Sequence, residues 1–159
     1  MRNRIILLIL FVFITILAGV SQTQTKNQTS DNLTLDKLQQ KYGSPNLKGQ
    51  YKVRLEIGLT VKFKENGQPL EMRIEPLSLS EEKPSETESP KVMSSDEAEE
   101  VLNELVPVEK RGKKGNTGNS EFGCTSVEYT EYEQVIINTA KRCEQQGAGT
   151  YSISVRWKK

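Results

Sequence analysis

The chain of 159 residues contains no histidine, only two cysteines and almost no excess charge. Without histidine, it has neither Ser-His nor Cys-His nucleophilic pairs, and it lacks the usual general base at neutral pH. The absence of histidine, combined with the lack of a Cys-x-x-Cys motif, also argues against a zinc or copper centre. We therefore expect no metal and no cofactor, and an enzymatic activity is the less favoured hypothesis.

The formal net charge is only +1, because 22 Lys and Arg residues balance 21 Asp and Glu residues. Removal of residues 1–21, which include two arginines and no acidic residue, changes this charge to −1. Neither value predicts nucleic acid or an anionic membrane surface as a partner. The remaining chain of about 138 residues is long enough for one domain with its own hydrophobic core.

The chain has one long apolar run, Ile5 to Val20, which follows the basic residues Arg2 and Arg4. It ends in small residues at 19–21 and is shorter than the roughly 20 residues that a membrane-spanning helix needs. Residues 1–21 are therefore predicted to be a cleavable signal peptide that exports the protein to the periplasm or the exterior. After cleavage no membrane contact is expected. An uncleaved membrane anchor is the alternative.

The two cysteines, Cys124 and Cys143, form an even pair in a small exported domain, which predicts a disulfide. Closing a loop of about 20 residues would stabilise the fold by roughly 3 kcal/mol on the chain-entropy model. A redox or metal-binding thiol pair is less favoured, because the spacing is not that of a known metal or redox motif.

Two stretches have the composition of disordered chain. Residues 22–33 are polar and of low complexity, and residues 77–92 are rich in Ser, Glu and Pro, so neither can bury enough apolar surface to fold. We expect residues 34–159 to form a single domain, from which 77–92 emerge as an exposed insertion.

Capping signals predict two helices. The first covers residues 35–42, with Thr34 as its N-cap and Gly43 as its stop. The second begins after Ser94, which opens a capping box, and ends before Pro107.

Residues 51–63 alternate completely between apolar and polar side chains, which predicts a long, half-buried antiparallel strand. The Asn66-Gly67 dipeptide predicts a two-residue type I′ turn. Counting outward from that turn sets the predicted cross-strand pairs. These are Phe63 with Leu70, Val61 with Met72, Leu59 with Ile74, Lys62 with Glu71, and Thr60 with Arg73.

Three further strands are predicted at 124–129, 133–139 and 150–158, the last of which alternates clearly. Together with the hairpin and the two helices, they predict an α+β fold. We expect one antiparallel sheet of about five strands, covered on one face by two helices.

The segment from Lys110 to Asn119 is basic and rich in Gly and Asn, so it could hold an anion or contact a partner through its side chains and backbone amides. It does not match a phosphate-binding loop, and a mobile surface loop is the simpler interpretation. Its candidate contact residues are Lys110, Arg111, Lys113 and Lys114.

Three carboxylates, Glu56, Glu71 and Glu75, share the polar face of the predicted hairpin and are the only clustered candidates for acid–base chemistry. Lys62 and Arg73 are their predicted neighbours, so a salt-bridged outer face explains the cluster better than a catalytic site does.

Several short motifs resemble a group of uncharacterised secreted bacterial proteins over most of residues 40–159. That resemblance implies export and a small domain, but no activity. The motifs are Tyr42-Gly43-x-Pro45, Met72-x-Ile74-x-Pro76, Glu104-Leu105-Val106-Pro107 with Arg111-Gly112, Gly123-Cys124, Cys143 and Arg156-Trp157-Lys158.

The hairpin with its Asn66-Gly67 turn, the Ser/Glu insertion, and the helix ending near Pro107 before Gly112 are similar in architecture to the C-terminal domain of TonB-type energy transducers. This resemblance implies a membrane-anchored coupling module with a retained N-terminal helix. The insertion is longer than that pattern expects, and the leader lacks the Pro-rich spacer.

We favour a non-catalytic exported domain that binds a protein partner or a cell-envelope component by pairing an extended segment with an exposed sheet edge. The alternatives are a membrane-anchored TonB-like coupling module and, less favoured, a carboxylate-based hydrolase.

Overall fold

The structure is a computed structural model that describes residues 33–78 and 90–159. The predicted signal peptide, residues 22–32 of the leader and residues 79–89 of the insertion lie outside the described residues. Leu33, assigned to the leader, is described and lies buried in the core. In the described ranges, no helix has the length and apolarity to span a membrane.

The fold is α+β, with a single antiparallel sheet of seven strands and two α-helices in the described ranges. The strand order across the sheet is β1-β2-β3-β7-β6-β5-β4. The elements along the chain are α1 (Leu35–Tyr42), β1 (Tyr51–Lys52), β2 (Ile57–Phe63), β3 (Pro69–Pro76), α2 (Ser95–Leu105), β4 (Lys114–Phe122), β5 (Thr125–Tyr132), β6 (Val135–Arg142) and β7 (Gly149–Trp157).

The sheet has two more strands than the sequence predicted. The predicted strand over residues 51–63 is divided into β1 and β2, because the chain bends at residues 54–56 and the N–H of Val53 bonds back to the carbonyl of Ile57 at 3.0 Å. The second addition is β4, which occupies most of the basic segment that was interpreted as a mobile loop.

Both predicted helices form at the predicted residues. The Thr34 side chain accepts a hydrogen bond from the N–H of Lys37, and α1 stops at Gly43, whose φ of 76° suits glycine. The Ser94 side chain accepts from the N–H of Glu97 at the start of α2. These bonds satisfy backbone donors that the first turn of a helix leaves unpaired.

The hairpin between β2 and β3 is closed by Lys64 and Gln68, which leaves a loop of three residues, 65–67, so the predicted type I′ turn is wrong. A type I′ turn needs positive φ at both Asn66 and Gly67, and only Gly67, at 77°, has it. Instead, the N–H of Gly67 bonds to the carbonyl of Lys64 at 2.9 Å, and the N–H of Lys64 bonds to the carbonyl of Gln68 at 2.8 Å. This is a type I turn followed by a left-handed glycine.

The longer loop changes the pairing next to the turn but not beyond it. Phe63 pairs with Pro69, not with Leu70 as predicted, and the register then shifts before Lys62 pairs with Glu71. Leu70 is the extra residue of this bulge and is 41% exposed. Because the bulge compensates for the third loop residue, the other predicted pairs are confirmed: Val61 with Met72, Leu59 with Ile74, and Thr60 with Arg73.

The helices cover only part of the sheet. Helix α2 packs on β3 and β7, and α1 packs beside β1. The buried strand residues accordingly lie in the half of the sheet that includes β2, β3, β7 and the start of β6, whereas β4 and β5 have no buried residue. Strands β4 and β5 therefore extend beyond the helix-covered core.

A disulfide joins Cys124 to Cys143 with their Cα atoms 5.1 Å apart, as predicted. Cys124 lies in the turn between β4 and β5, and Cys143 follows β6. The bond therefore ties together the three strands at the uncovered end of the sheet. Such a bond is consistent with an oxidising compartment outside the cytoplasm.

Candidate binding site

Arg111 is the one member of the predicted basic site that the fold buries, with 6% of its surface exposed. Its Nε donates to the carbonyl of Val106 at 2.9 Å, and its Nη2 donates to the Asn103 side chain. The guanidinium also lies 5.7 Å from the centre of the Tyr132 ring. Arg111 thus uses its donors to complete the C-terminal end of α2, where orphan carbonyls and the helix dipole favour a cation.

Residues 111–113 are held against the turn between β5 and β6. The N–H of Glu133 donates to the carbonyl of Lys113 at 2.9 Å, and the N–H of Gln134 donates to that of Arg111 at 3.0 Å. Lys113 and Lys114 are exposed, and Lys110 is partly exposed. The four predicted residues therefore separate into a buried arginine and three surface lysines.

The three candidate carboxylates do not meet in a pocket. Glu71 lies 3.2 Å from Lys62, and Glu75 lies 3.0 Å from Arg73. Glu75 also accepts a hydrogen bond from the Gln50 side chain at 2.9 Å. Glu56 is exposed in the bend between β1 and β2. The two strand carboxylates thus pair with the basic neighbours expected from the sequence.

Glu104, at the end of α2, is a charged centre that the sequence did not reveal. It accepts hydrogen bonds from Lys41, from the Tyr42 hydroxyl at 2.9 Å and from Arg54 at 2.8 Å. These donors, Lys41 first, lower the pKa of Glu104 to about 2, although partial burial opposes the shift. Because the donors come from α1 and from the bend after β1, Glu104 joins the two helices. The one feature of the sequence that points to this role is the position of Glu104 in the last turn of α2, where the helix dipole disfavours a carboxylate.

Strand β4 is the most exposed strand of the described sheet. It is the last strand in the order, and all nine of its residues are exposed. Its one large apolar side chain, Phe122, is 71% exposed. At the opposite end of the sheet, β1 has only two residues, so β4 offers the longer edge. Unpaired N–H and C=O groups on such an edge are a template for another strand.

The turn between β4 and β5 determines which groups face outward. Phe122 pairs with Thr125 across Gly123 and Cys124, and Gly123 has φ of 59°, as in a type II′ turn. A two-residue turn closes with a hydrogen-bonded pair, and such pairs alternate along an antiparallel ladder. The N–H and C=O groups of Thr117, Asn119 and Glu121 consequently point away from β5, toward the open edge.

A cleft of about 170 Å³ lies between α2 and strands β5 to β7. Four of its polar side chains already contact one another in pairs: the Ser95 and Thr150 hydroxyls are 3.0 Å apart, and Lys141 lies 2.8 Å from Glu128. Small-molecule pockets are typically larger, at ~300 Å³ or more, and more apolar. The cleft is therefore a weaker candidate than the β4 edge.

Among the residues that the structure describes, no group of three or more Cys, Asp or Glu side chains could hold a metal ion. Comparison of the chain with protein-family models, with curated proteins and with solved structures finds no match in any of the three. The site is therefore interpreted from its own geometry.

Proposed function

We propose that this protein is an exported, non-catalytic domain that binds an extended segment of a protein partner or cell-envelope component along strand β4. The observation that carries the proposal is the nine-residue edge, exposed throughout, with the backbone groups of Thr117, Asn119 and Glu121 turned outward. In this mode of recognition, main-chain hydrogen bonds supply affinity and alternate side chains supply specificity.

The charges on β4 indicate what the bound segment would carry. Lys114 pairs with Tyr132 and Glu121 pairs with Ser126, and a register shift after Lys114 brings both charged residues to the helix side of the sheet. An antiparallel segment with an acidic residue opposite Lys114 and a basic residue opposite Glu121 would match them, because opposite charges directly across a ladder are stabilising.

Export is the second part of the proposal. The apolar run behind Arg2 and Arg4 supports it, and so does the disulfide. N-terminal sequencing of the mature protein is expected to begin at Gln22. A chain recovered from the membrane fraction with Met1 retained would contradict cleavage and favour the anchored coupling module.

The edge is tested with Asn119→Pro, which removes an outward N–H and no backbone hydrogen bond to β5. It also removes the hydrogen bond that the Ser126 hydroxyl of β5 donates to the Asn119 side chain at 3.0 Å, on the exposed surface of the sheet. Affinity capture from a cell-envelope extract with the wild type should retain a partner that Asn119→Pro loses. The matched control is Glu65→Pro, because the second position of the type I turn at Lys64–Gly67 accepts proline. Equal capture by all three proteins would reject the β4 edge as the binding site.

Amide hydrogen exchange provides a test without substitution. In the free protein at low concentration, the N–H groups of Thr117, Asn119 and Glu121 should exchange quickly, whereas those of Gly118 and Ser120, which face β5, should be protected. Addition of the captured partner should slow exchange at the three outward amides. Protection that appears elsewhere instead would contradict the proposal.

A further inference from the structure

We infer that a second copy of this chain is a partner for the β4 edge, and that two copies join their sheets by antiparallel β4–β4 pairing about a twofold axis through Gly118. This inference rests on the proposed function, since it uses the same edge. A twofold interface requires one surface to be complementary to itself. Strand β4 meets that requirement in its charges, its backbone and its apolar surface.

The charges match only when the irregularity in β4 is taken into account. Gly115 and Asn116 together lie opposite one residue of β5, because Lys114 pairs with Tyr132 and Thr117 pairs with Thr130. With Gly118 on the axis, Thr117 of each copy faces Asn119 of the other, and the Gly115-Asn116 bulge faces Ser120. Lys114 then falls opposite Glu121, on the same face of the joined sheet.

The twofold pairing therefore creates this Lys–Glu pair twice. Strand β5, which has no extra residue, already pairs with β4 on both sides of the Gly115-Asn116 bulge, and the β4 strand of a second copy would do the same along the other edge. An axis through Asn119 would instead place Thr117 opposite Glu121 and leave Lys114 without an acidic neighbour. The arrangement of charges thus selects the axis at Gly118.

The alternation of inward and outward backbone groups along β4 is the one that this axis requires. Gly118 directs its N–H and C=O toward β5, so the two central glycines would face each other as a pair without hydrogen bonds. Thr117 and Asn119 direct theirs outward, so each Thr117 would exchange both bonds with an Asn119 of the other copy. Pairing of the two edges costs no hydrogen bond that either sheet already has.

The apolar surface also agrees. Phe122, at the end of β4, is 71% exposed. The next pair after Lys114 and Glu121 joins Lys113 of one copy to Phe122 of the other. The aliphatic part of a lysine side chain packs well on an aromatic ring, and its ammonium group is attracted to the ring face. The pairing would therefore cover the largest apolar side chain of the edge.

The test is sedimentation analysis of the oxidised full-length mature chain over a range of concentrations, with Lys114→Glu, Glu121→Lys and the double variant. The wild type should form a dimer. Each single reversal converts two attractive contacts into repulsive ones and should weaken dimerisation about tenfold. The double variant restores opposite charges and should recover most of the affinity. Glu65→Lys, an exposed reversal in the β2–β3 loop, is the control and should not change it.

A wild type that stays monomeric, or a double variant as weak as the single ones, would overturn the inference. If the wild type is monomeric and Asn119→Pro still abolishes capture of a partner, the inference fails and the proposed function stands. If Asn119→Pro leaves both dimerisation and capture unchanged, both fail. Should a variant not fold, amide exchange of the wild type decides: protection of Thr117, Asn119 and Glu121 must increase with protein concentration.

Discussion

Replacement of Glu104 by glutamine should destabilise the protein by about 2 kcal/mol at pH 7. The pKa of Glu104 is lowered from 4.5 to about 2 by Lys41, Arg54 and Tyr42. At 1.36 kcal/mol per pKa unit, such a shift corresponds to at most about 3.4 kcal/mol. The expected loss is lower, about 2 kcal/mol, because the side chains of Lys41 and Arg54 are 57% and 38% exposed and solvent screens both ion pairs.

The sign of the pH dependence follows from the lowered pKa. The contribution of Glu104 is fully present above the unfolded-state pKa of 4.5 and is lost as pH falls through the folded-state value of about 2. The difference in unfolding free energy between wild type and Glu104→Gln should therefore fall by more than half between pH 7 and pH 3.

Urea unfolding at both pH values, followed by fluorescence of the single tryptophan, Trp157, measures this difference. Glu99→Gln on the same helix is the control, since Glu99 is exposed and its replacement should cost less than about 0.5 kcal/mol. If the two variants lose equal stability at pH 7, or if the loss in Glu104→Gln does not shrink at pH 3, the assigned role of Glu104 is wrong.

Urea unfolding also checks three further expectations. The Cys124→Ser/Cys143→Ser variant should lose roughly 3 kcal/mol, because the bond closes a loop of sequence separation 19; unchanged stability would contradict this. Gly112→Ala should lower the free energy of unfolding by about 1–3 kcal/mol, because the φ of Gly112 is +78° and the new Cβ would lie 2.7 Å from the Cβ of Glu133. Gly118→Ala should be nearly neutral, because its new Cβ would have no atom within 4 Å apart from those of its chain neighbours. Met72→Ala should cost about 2–5 kcal/mol and Leu70→Ala less than about 1, and the reverse order would refute the bulge at Leu70.

The helices and most of the hairpin register were predictable because their signals are local. Thr34 and Ser94 cap their helices through their own side chains, and the alternation along β2 determines which residues face the core. The error next to the turn arose because Asn66-Gly67 fits two loop geometries. The three-residue loop and the bulge at Leu70 cancel, so the pairs farther from the turn were still predicted correctly.

Strand β4 could not be predicted, because it buries no side chain and so has no apolar alternation. Its sequence is rich in Gly and Asn, residues that are depleted in strands, and it is a strand because β5 lies beside it. The burial of Arg111 could not be predicted for a related reason. Composition shows that a segment is basic, but the end of α2 determines which cation the fold buries.

The disulfide replaces, at the uncovered end of the sheet, the packing that the helices supply elsewhere. Within the described residues, β4 is held mainly by its ladder to β5, and before Cys124 and Cys143 are oxidised we expect it to fray while the helix-covered half stays folded. A newly made chain with reduced thiols would then present a loosened edge to its neighbours. Oxidation would set the strand in place, so that the edge proposed to associate would be complete only in an oxidising compartment.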